Sequence, residues 1–127
     1  HDGQKVVGVA ALMPFNYGVV GVTVGAAARE AFTWLKARVL SMSLPNQRWY
    51  GNQLALADLV GGTAGQSKQV RIRWSENDVG TPMTVSLLPC DVYNYTPESE
   101  GEDVSGKVIL HLKGNRKHLM AHYSGVA

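Results

Sequence analysis

The residues from Val6 to Ala28 include no charged side chain, although the rest of the chain carries twelve basic and ten acidic residues. A stretch of this kind must be buried in a protein core, in a partner or in lipid. Pro14 and the repeated glycines argue against a membrane-spanning helix, because they interrupt or weaken it. The valine-rich composition instead predicts a buried β-hairpin in which Lys5–Met13 pairs with Asn16–Val24.

The periodicity changes after this hairpin. Apolar residues between Gly25 and Ser43 recur three and four positions apart, which predicts one amphipathic helix of about five turns. Pro45 is expected to stop this helix, since proline lacks an N–H group. The segment Asn46–Gln66 fits a strand and a short helix equally well, and it is interpreted as a mixed loop. The helical stripe consists of Ala28, Phe32, Leu35, Val39 and Met42.

Strands are predicted for most of the remaining chain. Val70, Ile72 and Trp74 alternate with polar residues, as in a half-buried strand. Further strands are expected at Thr81–Leu88 and Asp91–Tyr95.

The end of the chain is predicted to form a second hairpin, in which Lys107–Lys113 pairs with Arg116–Tyr123. Gly114-Asn115 would form its type II′ turn. The predicted fold class is therefore α+β: a mainly antiparallel β-sheet or sandwich with one long amphipathic helix, in the order β-β-α-β-β-β-β. A chain of this length is expected to form a single domain over residues 1–127.

Composition limits the chemistry of the chain. Its net charge of +2 does not by itself indicate a nucleic-acid partner. A single cysteine, Cys90, excludes a disulfide or a thiolate zinc site made within this chain. Neither a nucleophile elbow nor a phosphate-binding loop is present. The sequence predicts a protein that is not an enzyme and has no cofactor. The start at His1, without an initiator methionine, means that either a leader was removed or the chain was trimmed, and it allows the expected exported or periplasmic location.

Three histidines near the end of the chain are the strongest metal candidates. The predicted hairpin places His111 opposite His118, about 5 Å apart at Cβ, with His122 on the same face. No carboxylate is positioned to orient them, which favours a solvated sheet face and no metal site. His1 could chelate copper only as any amino-terminal histidine does.

Basic residues suggest a second kind of site. Nucleic-acid binding would require exposed aromatic rings beside them, whereas the alternation predicts Trp74 in the core. A solvated basic face is the favoured interpretation. The residues of this possible face are Lys68, Arg71, Arg73, Lys113, Arg116 and Lys117.

Two segments are candidates for contact with another protein. Arg48, Trp49 and Tyr50 lie in a predicted loop, and aromatic and arginine side chains often anchor interfaces; the alternative is that Trp49 covers the core. The acidic loop, Pro97–Ser105, could meet a basic partner and speed association. Its acidic residues are Glu98, Glu100, Glu102 and Asp103.

Three stretches carry a family resemblance: FNYGVVGVTV at Phe15–Val24, VRIRW at Val70–Trp74, and VILHL with NRKHLMAHYS at the end of the chain. In order and spacing they resemble small exported bacterial lipoproteins of uncharacterised function that look like type VI secretion immunity proteins. The chain lacks the glycine-rich double-cysteine segment expected before Val70. The resemblance implies a non-enzymatic periplasmic protein that inhibits a toxin by plugging or covering its active site.

The predicted function is a non-catalytic protein-binding module of an exported compartment, of which an immunity protein that neutralises a toxin effector is one form. The alternative is a structural subunit of a filament, shell or secretion assembly, in which Val6–Ala28 is buried by a neighbouring copy. A second alternative is nucleic-acid binding through the basic residues. The expected partner is a toxin effector or another copy of the chain, with no transmembrane segment.

Overall fold

The structure, a computed structural model, describes residues 17–61 and 66–125, with the backbone alone at Trp49. The chain divides into two compact units, His1–Leu87 and Leu88–Ala127. Each unit has its own buried residues, among them Ile72 in the first and Leu119 in the second. A single folding domain over the whole chain stays a prediction.

In the described part of the first unit, three helices come first: α1 (Ala26–Leu40), α2 (Leu44–Trp49) and α3 (Gly51–Val60). The expected mixed loop after Pro45 is therefore wrong. Pro45 lies in the first turn of α2, where its missing N–H costs nothing because the first N–H groups of a helix have no intrahelical partner.

Helix α1 covers most of the predicted helix, and the residues of the predicted apolar stripe are half-buried except Phe32. Ala31 is buried, whereas Phe32 is 43% exposed. Packing against α3 is close: a Cβ on Gly51 would lie 2.9 Å from Val39 Cγ1. Small residues at such contacts let helix backbones approach, and Ala55 is fully buried in α3. The expectation of one long amphipathic helix is wrong, because α1 ends at Leu40 and its one buried residue is Ala31, which is not in the predicted stripe.

Two antiparallel strands follow the helices in the described part of this unit, β1 (Ser67–Ile72) and β2 (Thr81–Ser86). Val70 and Ile72 are buried, as their alternation predicts. Trp74 was expected on the same face but is 50% exposed, since β1 ends two residues earlier and the alternation ends with it.

The second unit contains α4 (Cys90–Tyr93), a 3₁₀ helix (Gly114–Leu119) and α5 (Met120–Tyr123). The strand expected at Asp91–Tyr95 is wrong, because its first residues form α4; only Tyr95 makes a bridge, parallel to Leu110.

The closing hairpin is also wrong. Gly114 has the positive φ of 60° that a glycine turn requires, but Arg116 N donates to Lys113 O and opens the 3₁₀ helix. Leu119 and Tyr123 lie four residues apart, on the same side of the helical turns, and both side chains are buried.

The predicted fold class is corrected accordingly. In the described ranges helices predominate and the sheet has two strands, so neither a β-sandwich nor a mainly antiparallel β fold is present. Lys5–Met13, the first half of the predicted amino-terminal hairpin, lies outside the described residues. The second half forms no strand from Tyr17 to Val24. No helix of the described ranges has the length and apolarity needed to cross a membrane.

Candidate functional site

A short apolar segment of the first unit is exposed. The valine segment, Val19–Val24, lies outside any helix or strand and contains no charged residue. Val19 is 40% exposed and Val24 is 86% exposed, with Val20 and Val22 between these values. Its predicted burial within the chain's own core is therefore wrong. Contiguous exposed apolar residues on a protein surface mark sites of interaction.

Among the described residues, one edge of β1 has no neighbouring strand. Leu87 N donates to Gln66 O at 2.9 Å, one step beyond the two strands in the same register. Because bonded and non-bonded pairs alternate in an antiparallel ladder, the N–H and C=O groups of Ser67, Gln69 and Arg71 point away from β2. We call this stretch, Ser67–Arg71, the open edge.

The outer edge of β2 is less able to accept a strand. The same alternation turns the backbone of Pro82, Thr84 and Ser86 outwards, and Pro82 has no N–H to donate. At the far end of β1, Arg73 O accepts a hydrogen bond from Trp34 Nε1 of α1 at 3.0 Å. The open edge thus ends next to α1. Of the two strand edges, that of β1 is better suited than that of β2 to pair with an added strand.

The two faces of the sheet differ in chemistry. On the outer face the hydroxyls of Ser67 and Ser86 are 2.7 Å apart, and Gln69 Nε2 donates to Thr84 Oγ1 at 2.6 Å. The inner face carries the buried side chains of β1. A strand added at the open edge would therefore need one apolar and one polar or small face.

A carboxylate that the sequence did not single out ties α1 to the sheet. Glu30 accepts hydrogen bonds from the Thr81 hydroxyl and, at 3.3 Å, from Trp74 Nε1. The partners lie more than forty residues away in the sequence, so no local spacing signals them. Through this hydrogen bond the exposed Trp74 connects the residues after β1 to α1.

The first predicted contact segment has a different local structure from that expected. Arg48, Trp49 and Tyr50 lie at the junction of α2 and α3, where Tyr50 N donates to Asn46 O and Leu54 N donates to Tyr50 O. Arg48 is exposed and Tyr50 is half-buried. The segment is therefore a helical junction that presents Arg48 to solvent, and not a loop.

The acidic loop is organised around Glu102. Its Oε2 accepts the Tyr95 hydroxyl at 2.6 Å, and its Oε1 accepts the backbone N–H groups of Glu98 at 2.6 Å and Ser99 at 2.9 Å. The Tyr95 hydrogen bond is the main reason that the pKa of Glu102 lies below its ordinary value. Glu102 thus stabilises the loop from within. The sequence predicted Glu102 as a partner-binding residue and did not predict this structural role.

The other acids of this loop differ in their engagement. Asp103 Oδ1 accepts the backbone N–H of Ser105 at 2.9 Å, which lowers the pKa of Asp103. Glu98 pairs with Arg116, and its side chain stays 70% exposed. Glu100 is exposed. Asp103 is exposed as well, so Glu98, Glu100 and Asp103 are the acids of the loop that a partner could reach.

The predicted basic residues are split between the two compact units. Lys68, Arg71 and Arg73 belong to the first unit, and Lys68 Nζ donates to Gly61 O. Arg71 Nη1 donates to Gly80 O at 3.4 Å. Lys113, Arg116 and Lys117 belong to the second unit. A continuous basic strip on paired strands, as the hairpin implied, is not formed because that hairpin is absent.

The three histidines do not face one another across a hairpin. His111 Nδ1 lies 2.7 Å from Oδ1 of the buried Asn94, and His118 Nδ1 lies 2.6 Å from Asn115 O. His122 Nε2 accepts the N–H of Gly101 at 3.3 Å. Within residues 17–61 and 66–125, no group of three histidine, cysteine or acidic side chains is arranged to hold a metal ion.

The chain matches no protein-family model, no curated protein and no solved structure.

Proposed function

We propose that this protein is a non-catalytic protein-binding module of an exported compartment, with the valine segment as its principal contact. The observation that carries the proposal is the exposure of Val19–Val24 in a stretch of chain without a charge. Leaving four valines partly exposed to water is unfavourable, because complete burial of one fully exposed valine side chain contributes about 1.5 kcal/mol or more. A partner that covers them would recover this free energy.

The engagement of the acids supports a binding role over a catalytic one. Glu102, Asp78 and Asp103 each accept backbone N–H groups that close turns. Hydrogen bonds stabilise the charged form and hold the pKa of each carboxyl below its ordinary value. The main donor is the Gly80 N–H at Asp78, the Ser105 N–H at Asp103 and the Tyr95 hydroxyl at Glu102. A general acid at neutral pH requires the opposite shift. These three carboxylates therefore serve the local fold.

A secondary contact is proposed at the acidic loop. Glu98 and Glu100 face solvent, and they would attract a basic patch on a partner and raise the rate of association. Arg48 is also exposed, at the helical junction. Arg48, Glu98 and Glu100 are therefore the residues of the predicted contact segments that this proposal retains. In the form implied by the family resemblance, the partner is a toxin effector and the location is the periplasm.

Site-specific photo-crosslinking tests the proposed contact in cells of the organism that encodes the chain. A benzoylphenylalanine replaces Val22 in one variant and the exposed Asn77 in a matched control. We expect Val22 to give one dominant protein adduct, which mass spectrometry identifies, and Asn77 to give none. The same set of adducts from both positions would contradict the assignment.

The identified partner is then purified for a measurement of affinity. Val22→Lys should raise Kd at least tenfold, since a lysine charge cannot be buried against an apolar surface. Asn77→Lys adds the same charge away from the segment and should leave Kd within about twofold. An unchanged Kd for Val22→Lys would show that the partner binds elsewhere.

A further inference from the structure

We infer that the valine segment of one copy adds as a third strand to the open edge of β1 in a second copy. This inference rests on the proposed function in taking the valine segment as a protein contact, and it names the partner as the chain itself. The contact belongs to the class in which a peptide lengthens a sheet by backbone hydrogen bonds.

The side-chain pattern of the valine segment matches the two faces of the sheet. As a strand, it would place Val20, Val22 and Val24 on one side and Val19, Gly21 and Thr23 on the other. The sheet it would join buries Val70 and Ile72 on its inner face, which has Lys68 at one end, and its outer face is polar. A single register therefore puts three valines beside the inner face and Gly21 and Thr23 beside the outer one, with Val19 at the end of the added strand.

The backbone of the valine segment also fits the open edge. The segment and β1 are each six residues long. It contains no proline, so every residue supplies both an N–H and a C=O group. The segment carries no charge that could repel the Arg71 guanidinium. The edge of β2 would offer one donor fewer at Pro82.

A second copy is the occupant that this geometry selects. A two-stranded sheet is of marginal stability alone, and a third strand stabilises it. Each copy carries one donor segment and one acceptor edge, so every copy brings what another lacks. Because donor and acceptor are different surfaces, the contact is head-to-tail, and it produces rings or open chains of subunits.

Sedimentation velocity over a wide concentration range tests the inference with the full chain. The wild type should form species larger than a monomer as concentration rises. Gln69→Pro should abolish this association, because it removes an outward N–H of the open edge and no backbone hydrogen bond to β2. Gln69→Ala keeps that N–H, removes the side-chain bond to Thr84, and should associate as the wild type does.

Mixing two variants gives the sharpest result. Val22→Lys retains an intact edge and Gln69→Pro retains an intact segment, so each alone should be monomeric. Their equimolar mixture should form dimers and nothing larger, since only one of the two contacts can form. A wild type that is monomeric throughout, or a mixture that stays monomeric, would overturn the inference.

Hydrogen exchange provides an independent readout that needs no proline variant to fold. In the wild type, the amides of Gln69 and Arg71 should exchange more slowly at high concentration, whereas those of Thr84 and Ser86 should not change. Equal rates at all concentrations would overturn the edge assignment. Cross-linking at Val22 to a different protein, with a monomeric wild type, would refute self-pairing while supporting the proposed function.

Discussion

The Tyr95 hydroxyl donates a hydrogen bond of 2.6 Å to the carboxylate of Glu102. The other oxygen of the same carboxylate closes the turn at Glu98 and Ser99. Lys107 Nζ lies 4.4 Å from the centroid of the Tyr95 ring, on which a cation is favourably placed. One acidic side chain therefore connects the acidic loop to the residue that bridges to Leu110.

Glu102→Gln is expected to destabilise the protein at neutral pH and to lose this effect in acid. The pKa of Glu102 is lowered from 4.5, first by the Tyr95 hydroxyl. A lowered folded-state pKa means that the stabilisation is complete above 4.5 and is lost as the pH falls through the folded-state value. Thermal unfolding of both proteins between neutral pH and about pH 3 checks this. A melting-temperature difference that does not depend on pH would contradict it.

Tyr95 should titrate at a lower pH in the same variant. Its pKa is raised above 10.0, and the hydrogen bond to Glu102 is the largest cause. A neutral glutamine removes the charge that opposes formation of the tyrosinate, so the pKa should move towards 10.0. Carbon-13 NMR of labelled tyrosine rings, titrated in alkali, measures this directly. An unaltered Tyr95 curve beside unaltered curves for the other tyrosines would refute the coupling.

Gly80→Ala should destabilise the protein more than Gly61→Ala. Both glycines have positive φ, which costs an alanine about 1–2 kcal/mol. A Cβ at Gly80 would also lie 2.7 Å from Ile72 O, a backbone atom, whereas at Gly61 the nearest atom is 3.9 Å away. Urea unfolding should show a difference of about 1 kcal/mol or more between the two variants. Equal losses would mean that the chain beside Ile72 relaxes without cost.

Ile72→Ala and Trp74→Ala should separate a core position from a surface position. Ile72 is fully buried, so its truncation is expected to cost about 3 kcal/mol. Trp74 is half exposed and donates one hydrogen bond to Glu30, so its loss should cost about 1 kcal/mol. Urea denaturation of both variants measures the costs. A larger loss of stability for Trp74→Ala than for Ile72→Ala would indicate that Trp74 is a core residue, as its alternation with Ile72 predicts.

Local patterns predicted the elements that need few distant contacts. The alternation of Val70 and Ile72 identified the inner face of β1, and the spacing after Gly25 identified most of α1. The chain end was misassigned because Lys107–Lys113 alternates like a strand. Leu119 and Tyr123, spaced four apart, were the signal for a helical turn there, and both are buried.

The candidate site was less accessible from the sequence. The lack of charge in Val19–Val24 is visible in the residues, but whether its own core or a partner covers it depends on the rest of the fold. The open edge required the register of β1 against β2, which sets the direction of the Gln69 backbone. A strand's outer edge has no signature of its own, since every non-proline residue carries the same backbone groups.

The sequence by itself determined the uncharged valine segment, the glycine at Gly114 and the alternating strand at Val70. These features follow from side-chain type and from steric limits on one or two residues. Only the tertiary structure decided that Glu30 meets Thr81 and that Glu102 organises the acidic loop. Such pairings depend on which surfaces the whole chain can bury together, because the loss of chain entropy on closing a long loop must be offset by many contacts at once.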